Sequence, residues 1–334
     1  MTEYNKPWLS IAEQVDRLEA RGVQVPVRTE CEELLRMVGY YRLTGYLYPF
    51  RDSEINRDED GSERVRILNH YRDGTSVAYA AALIEFDRSL RMSVLDGIER
   101  IEVALRMQVG FVLGRVSAFA HLEPSTFVQS FVVHAQDETS GEYLPSKHDL
   151  WLERIRDRQN DSDEAFVAHF RSKYDNKMPI WALTEIMEMG HVGRLYGGLR
   201  NDLASEIAAA FGVPSKKLMG SWIASLNYVR NVAAHHARLF NRKLVIAPSR
   251  PRGGEVPALT HLRGATAKEV FGVYNALAVM AYLLSQIDPR SDWQRELVNV
   301  VDCFPNLPGM TVASMGIPQG WRSEALWAHP SSAG

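Results

Sequence analysis

A chain of 334 residues, 46% hydrophobic and 24% charged, has interior volume for one large domain or two ordinary ones, and its composition excludes wholesale disorder and collagen-like or low-complexity architectures. Its two cysteines, Cys31 and Cys303, lack Cys or His partners at ligand spacing, so neither a disulfide scaffold nor a four-ligand zinc site is expected, and no metal or cofactor is implied. The net charge of −3 conceals an asymmetry: from Ile207 to Gly254 there is no Asp or Glu, while Lys216, Lys217, Arg230, Arg238, Arg242, Lys243, Arg250 and Arg252 supply eight fixed positive charges, a window suited to a polyanion.

The opening MTEYNKPWLS lacks a basic region followed by an apolar one, and no stretch of about 18 residues is both strongly apolar and free of charge, so the expected location is the cytoplasm, with no membrane partner. Ser10 and Glu13 stand at capping-box spacing before the stripe Ile11, Val15 and Leu18, and Gly22 is a stop signal, which predicts a first helix. A second helical pattern from Thr29 runs into a segment dense in aromatics and arginine: Tyr40, Tyr41, Arg42, Tyr46, Tyr48, Phe50 and Arg51. Such tyrosines either stack on single-stranded bases or, as is more common, pack a small helical subdomain with their hydroxyls at its rim. The acidic Asp52–Glu63 segment reads as a solvated loop.

The longest signal follows, from about Ser76 to Gly114 without a proline. Leu83, Phe86, Leu90, Val94, Ile98, Ile101, Leu105, Val109 and Val112 recur at three- and four-residue steps, and Glu99, Glu102 and Arg106 form a polar stripe whose simplest use is mutual pairing at the surface. The pattern is broken from about Val116 to Lys147. It returns as an interrupted helix from Leu150 to Tyr174, and then as a helix from Ile180 that stops near Gly190 and a short one reaching Gly197 and Gly198. Further helices are expected over Asn201–Phe211, from beyond Gly212 to about Leu239, and over the apolar run from Ala265 to Ile287. The tail after Asp288, rich in Pro, Gly and Trp, reads as an irregular strap. No strand-like alternation of convincing length and no internal repeat is found. The expected fold is all-α, a helical bundle over residues 67–287, preceded by an N-terminal helical region and acidic loop (1–66) and followed by an irregular tail (288–334).

Residues 222–242 sort by angle at about 100° per residue. Trp222, Leu226, Val229, Ala233, His236 and Phe240 form the core stripe, which casts His236 as a core or semi-core histidine. Nearly opposite, Asn231, His235, Arg238 and Arg242 form a polar, cationic stripe, with Arg230 at its flank. An imidazole among guanidinium groups is biased toward its neutral form, which a general base requires. An amide can hold that imidazole, and a guanidinium matches the geometry of a phosphate.

Arg230 and His235 spell R-x4-H with Asn231 after the arginine, and this stretch resembles the motif of HEPN ribonucleases, helical-bundle enzymes that act on RNA without a metal. In order along the chain, GYYRLTGYLYPFR, FDRSLRMSVLDGIERIEVALR, MPIWALTEIMEMGHVGRLY, SWIASLNYVRNVAAHHARLFNR and MGIPQGWRSEALW are similar to successive blocks of the Abi-like abortive-infection family (the AbiD and AbiF group) of that superfamily, a resemblance running from roughly Lys6 to Trp327. It implies a HEPN-like fold and a phage-defence or toxin-type endoribonuclease. Arg230, Asn231 and His235 would be its catalytic set, and Glu102 and Glu185, with Arg106 and His236, would support the site.

The chemistry of the residues agrees with that implication. A 2′-hydroxyl attacks its own phosphate when a base such as His235 takes its proton and a cation such as Arg230 steadies the charge growing on the phosphorus oxygens. Arg238, Arg242 and Lys243 would hold the flanking backbone. The expected partners are an RNA substrate, a second copy of the chain and a cognate antitoxin, RNA or protein. Two rivals stand beside this reading: a module that grips RNA or protein through the same basic stripe without cleaving, and a metal-dependent nuclease, which the acid-free window disfavours.

Overall fold

The computed structural model describes residues 3, 7–57, 63–137, 139–262 and 266–328. Lys6, where the family resemblance begins, and residues 58–62 of the acidic segment lie outside that set. The chain divides into two compact units, residues 1–89 with 302–311, and residues 90–301 with 312–334. Among the described residues the architecture is mostly α-helical, with two small two-stranded sheets, and no helix is long and apolar enough to cross a membrane.

In the first unit, α1 (Ile11–Ala20) starts at the expected capping box: the Ser10 hydroxyl accepts from the Glu13 amide and the Glu13 carboxylate accepts from the Ser10 amide. Gly22 follows in the left-handed region at φ +87. Next come α2 (Arg28–Val38) and α3 (Tyr40–Leu47). Val15, Leu18, Cys31, Leu35, Leu43 and Leu47 are buried together with Tyr46 and Phe50, so part of the aromatic block does pack. The Tyr46 hydroxyl donates to the buried Asp87 carboxylate at 2.6 Å.

The acidic segment corrects the sequence reading. Its described residues, 52–57 and 63, lie not in a loop but in an antiparallel ribbon, β1 (Arg51–Arg57) and β2 (Glu63–Tyr71), with Ile55 opposite Val65 and Ser53 opposite Ile67. The alternation Arg64-Val65-Arg66-Ile67 was present but short. It was obscured because Ile55, Val65 and Ile67 stay exposed and the ribbon has no buried face to enforce an apolar pattern.

The long helix α4 (Val77–Val116) begins in this unit and continues into the second. All nine apolar positions of its predicted stripe are buried. In the second unit it is followed by α5 (Gln129–Val132), a minimal ribbon of β3 (Ala135–Gln136) and β4 (Tyr143–Leu144), α6 (Lys147–Asn160) and α7 (Ala165–Lys173). Then come α8 (Ile180–Leu183), α9 (Met189–Gly198), α10 (Asn201–Ala210), α11 (Lys216–Ala234), α12 (Ala267–Phe271), α13 (Tyr274–Ile287) and α14 (Trp293–Asp302).

Three boundaries differ from expectation. The helix from Ile180 breaks at Met187, not Gly190, which lies inside α9. The final apolar run is cut at Gly272 into α12 and α13. The tail carries α14, an amphipathic helix whose Trp293, Leu297 and Val301 are buried, before becoming irregular. There Trp321 and Trp327 pack around Tyr274, and the Trp327 indole donates to the Tyr274 hydroxyl at 2.8 Å.

Candidate active site

The site grows from the packing of α9 on α11. A Cβ added at Gly193 would stand 2.9 Å from the Ile223 side chain, and one at Gly190 would stand 3.6 Å from that of Asn227. The two helices therefore run antiparallel at close range. Arg230 and Asn231 lie about one further turn along α11 from Asn227. The shaft of α11 follows its predicted core stripe: Trp222, Leu226, Val229 and Ala233 are buried.

Its end does not follow the prediction. Here α11 stops at Ala234, and the chain closes it with a Schellman motif: the His236 amide donates to the Ala233 carbonyl at 3.1 Å and the Ala237 amide to the Val232 carbonyl at 3.0 Å. His236 occupies the left-handed position at φ +57, where glycine is usual. It is exposed, so its assignment to the core is overturned. His235 is the C-cap residue, exposed, with its amide bonded to the Asn231 carbonyl at 3.0 Å. Arg230 and Asn231, both half-buried, are joined by a 3.3 Å hydrogen bond from the guanidinium Nη1 to the amide Oδ1.

Because the helix has ended, Arg238 and Arg242 do not continue the Asn231–His235 stripe. They sit on a segment that turns and runs back beside α11. The Trp222 indole donates to the Ser249 carbonyl at 2.8 Å, and the Ser249 amide donates to the Ser221 hydroxyl at 2.8 Å. Within that segment the Arg242 Nε donates to the Arg238 carbonyl at 2.8 Å, and the Lys243 ammonium lies 5.1 Å from the centre of the Phe271 ring. Two other cations of the acid-free window serve structure. Lys216 donates to the Leu199 carbonyl, and Arg250 donates to the Glu269 carbonyl at 3.3 Å.

The supporting residues are partly assembled. Arg106 pairs with Glu102 one turn away on α4 and donates from Nη1 to the Glu185 carbonyl at 3.5 Å. The pair is largely buried, not at the surface, and Glu99 stays exposed outside it. Glu185 contributes its backbone carbonyl while its side chain is exposed.

Sequence reading missed what surrounds the break at Met187. Arg158 on α6 donates to the Ile186 carbonyl at 3.0 Å, so two arginines satisfy consecutive carbonyls between α8 and α9. Glu188 caps α9 reciprocally with His191, whose Nδ1 accepts from the Glu188 amide at 3.2 Å. Burial is the main cause that holds the His191 imidazole below its usual pKa; Glu188 opposes the shift, and Arg194, Arg158 and Arg154 add to it. The available signal was the four-residue spacing of Arg154 and Arg158, which puts both on one face of α6. Among the described residues no group of three or more His, Cys, Asp or Glu side chains is placed to hold a metal ion.

The family model for Abi-like proteins matches residues 33–241, from α2 past the R-x4-H turn. The chain belongs to the Abi-like protein family. That membership ties it to abortive infection, the phage-defence response. Comparison with curated proteins and with solved structures gives no match.

Proposed function

We propose that this Abi-like chain is a HEPN-type endoribonuclease that cleaves RNA through 2′-hydroxyl attack, without a divalent metal, and acts as the toxic effector of a phage-defence or toxin–antitoxin system. One observation carries the reading. The last turn of α11 holds Arg230 and Asn231 together half-buried, and the motif that ends the helix leaves His235 exposed beside them, in a stretch of chain with no carboxylate.

In the proposed reaction the His235 imidazole takes the proton of a 2′-hydroxyl, and the 2′-oxygen bonds to the adjacent phosphorus. The bond to the 5′-oxygen breaks, and that oxygen leaves with a proton. The products are a 2′,3′-cyclic phosphate and a 5′-hydroxyl. Arg230 stabilises the charge on the non-bridging oxygens, and Asn231 orients Arg230. Arg238, Arg242 and Lys243 hold the flanking phosphates. The departing 5′-oxygen needs an acid, and His235 of a second copy supplies it in a two-fold homodimer, the commonest symmetric assembly. A cognate antitoxin, RNA or protein, would hold the activity in check.

The test is incubation of the purified chain with total RNA and with DNA of matched sequence, with and without EDTA. The expected result is RNA fragments ending in 2′,3′-cyclic phosphate, unchanged by the chelator, with DNA intact. Cleavage lost in EDTA and restored by magnesium would overturn the metal-independent mechanism, and intact RNA under all conditions would leave a binding module. For the dimer, mixing wild-type with His235→Ala chains should reduce activity well below half; activity undiminished at dilutions where the protein is monomeric would refute the shared site.

A further inference from the structure

The first unit contains a groove of about 770 Å³ with a consistent chemistry. Arg17, Arg21 and Arg51 line it, among the described residues no Asp or Glu does, and Trp8, Tyr40 and Tyr41 supply aromatic surface. The acids of α1 have other partners: Glu13 caps the helix through Ser10, and Asp16 and Glu19 pair with Arg28 on α2, at 2.8 and 3.5 Å. Gln14, Arg17 and Arg21 stand at i, i+3 and i+7 and so share the face of α1 that borders the groove.

Arg21 and Arg51 are positioned by neutral partners, and among the described residues no carboxylate pairs with either. Arg21 donates to the Asn69 carbonyl at 2.8 Å and to the Asn69 side chain at 3.0 Å, and it lies 5.2 Å from the centre of the Tyr71 ring. Arg51 lies between Tyr48 and Tyr71, at 5.3 and 5.7 Å from their centres. Trp8 is 85% exposed and Tyr41 75% exposed. Two large rings so open to water on one basic groove are costly for a merely structural role and suit flat partners that bring negative charge.

We propose that this groove binds single-stranded nucleic acid, with bases stacked on Trp8 and Tyr41 and the backbone phosphates on Arg17, Arg21 and Arg51. Two separate stacking surfaces call for at least two nucleotides, so the ligand is a strand and not a mononucleotide. Trp8, Arg17 and Arg21 precede the segment that matches the family, residues 33–241, while Tyr41 and Arg51 lie within it. The site is independent of cleavage at His235 and can be tested with a probe that lacks the attacking hydroxyl.

The experiment measures fluorescence anisotropy of a labelled 2′-O-methyl dodecamer bound by the full chain. The Trp8→Ala, Tyr41→Ala double variant should weaken binding at least tenfold, since each stacked base is worth a few-fold to a hundredfold. Arg17→Ala should weaken binding and reduce the slope of log K against log salt by about 0.7, the value for one phosphate of a single strand. All three side chains are exposed, so circular dichroism should be unchanged. Affinity within twofold of wild type in both variants, or no binding by wild type, would overturn the proposal. So would competition by AMP as effective as that of the dodecamer, which would make this a mononucleotide pocket. Equal competition by a dodecaglutamate would make it a site for acidic protein. Failure of RNA cleavage leaves these outcomes unaffected.

Discussion

Two pairs of histidines in the second unit show how differently the same side chain is used. His121 and His148 are buried: the His148 ring lies against Trp151, Phe127 and Phe131, and its Nε2 is 2.8 Å from the His121 carbonyl. Burial and the neighbouring His148 push the His121 pKa down to about 4. His235 and His236 are exposed on the turn that ends α11. A buried imidazole contributes packing, and that of His121 is kept neutral, whereas one held on a helix cap keeps its access to solvent and to a substrate.

The sharpest separation of the pairs is a crossed experiment. His235→Ala should lower RNA cleavage by about 10²–10⁴-fold, the usual worth of a general base, with no change in melting. His148→Ala should do the reverse: it should cost about 2–3 kcal/mol in urea unfolding while leaving activity per folded molecule intact. Full cleavage by His235→Ala would end its catalytic assignment.

Acid should distinguish the pairs next. The folded pKa of His121 lies below its unfolded value of 6.5, so between these values the unfolded chain binds more protons. Stability from this group is complete above about pH 6.5 and falls as pH drops toward 4, by up to about 3 kcal/mol. Melting temperatures measured from pH 7 to pH 4.5 should show the decline, and His121→Gln should flatten it.

A smaller effect tests the turn itself. His236→Val should destabilise by about 1–2 kcal/mol, because a β-branched residue resists the left-handed conformation, whereas His236→Gly should fold at least as well as wild type. Equal stability of the two variants would show that the left-handed geometry is not needed. The smallest effect is expected from Arg238→Ala or Lys243→Ala, each of which should lower the salt dependence of RNA binding by about one phosphate contact without changing the cleavage products.

The turn also marks where the sequence stopped being informative. The shaft of α11 was legible because Trp222, Leu226, Val229 and Ala233 repeat on one face and all are buried. The repeat then continued by coincidence through His236 to Phe240. Phe240 is buried, but from a segment that has left the helix, and no glycine or proline announced the exit. Arg230, Asn231 and His235 survive as neighbours because their spacing ends within the last turn and its cap. Arg238 and Arg242 were grouped with them through helical geometry that the chain does not keep. Elsewhere, the nine-residue apolar repeat fixed the face of α4, while the ribbon of β1 and β2 escaped because one short alternation without burial is a weak signal. Of the histidines that do occupy the core, His121 lies in the broken stretch between α4 and α6, and His148 stands in the first turn of α6, ahead of Leu150 where the helical pattern resumes, so no periodicity assigns either to an inner face.

The glycines of α9 carry a consequence for folding kinetics. Gly190, Gly193, Gly197 and Gly198 make up four of its ten residues. Gly193 and Gly198 allow Ile223 and Phe131 to approach closer than a Cβ would permit. Each glycine costs a helix about 1 kcal/mol relative to alanine, so α9 has little tendency to form alone and takes its shape from α11. Its hydrogen bonds should therefore form late in folding and open early in the native state. Amide exchange at Val192, Leu195 and Tyr196 should be faster than along the shaft of α11, and Gly197→Ala, where a Cβ meets nothing within 4 Å, should slow it.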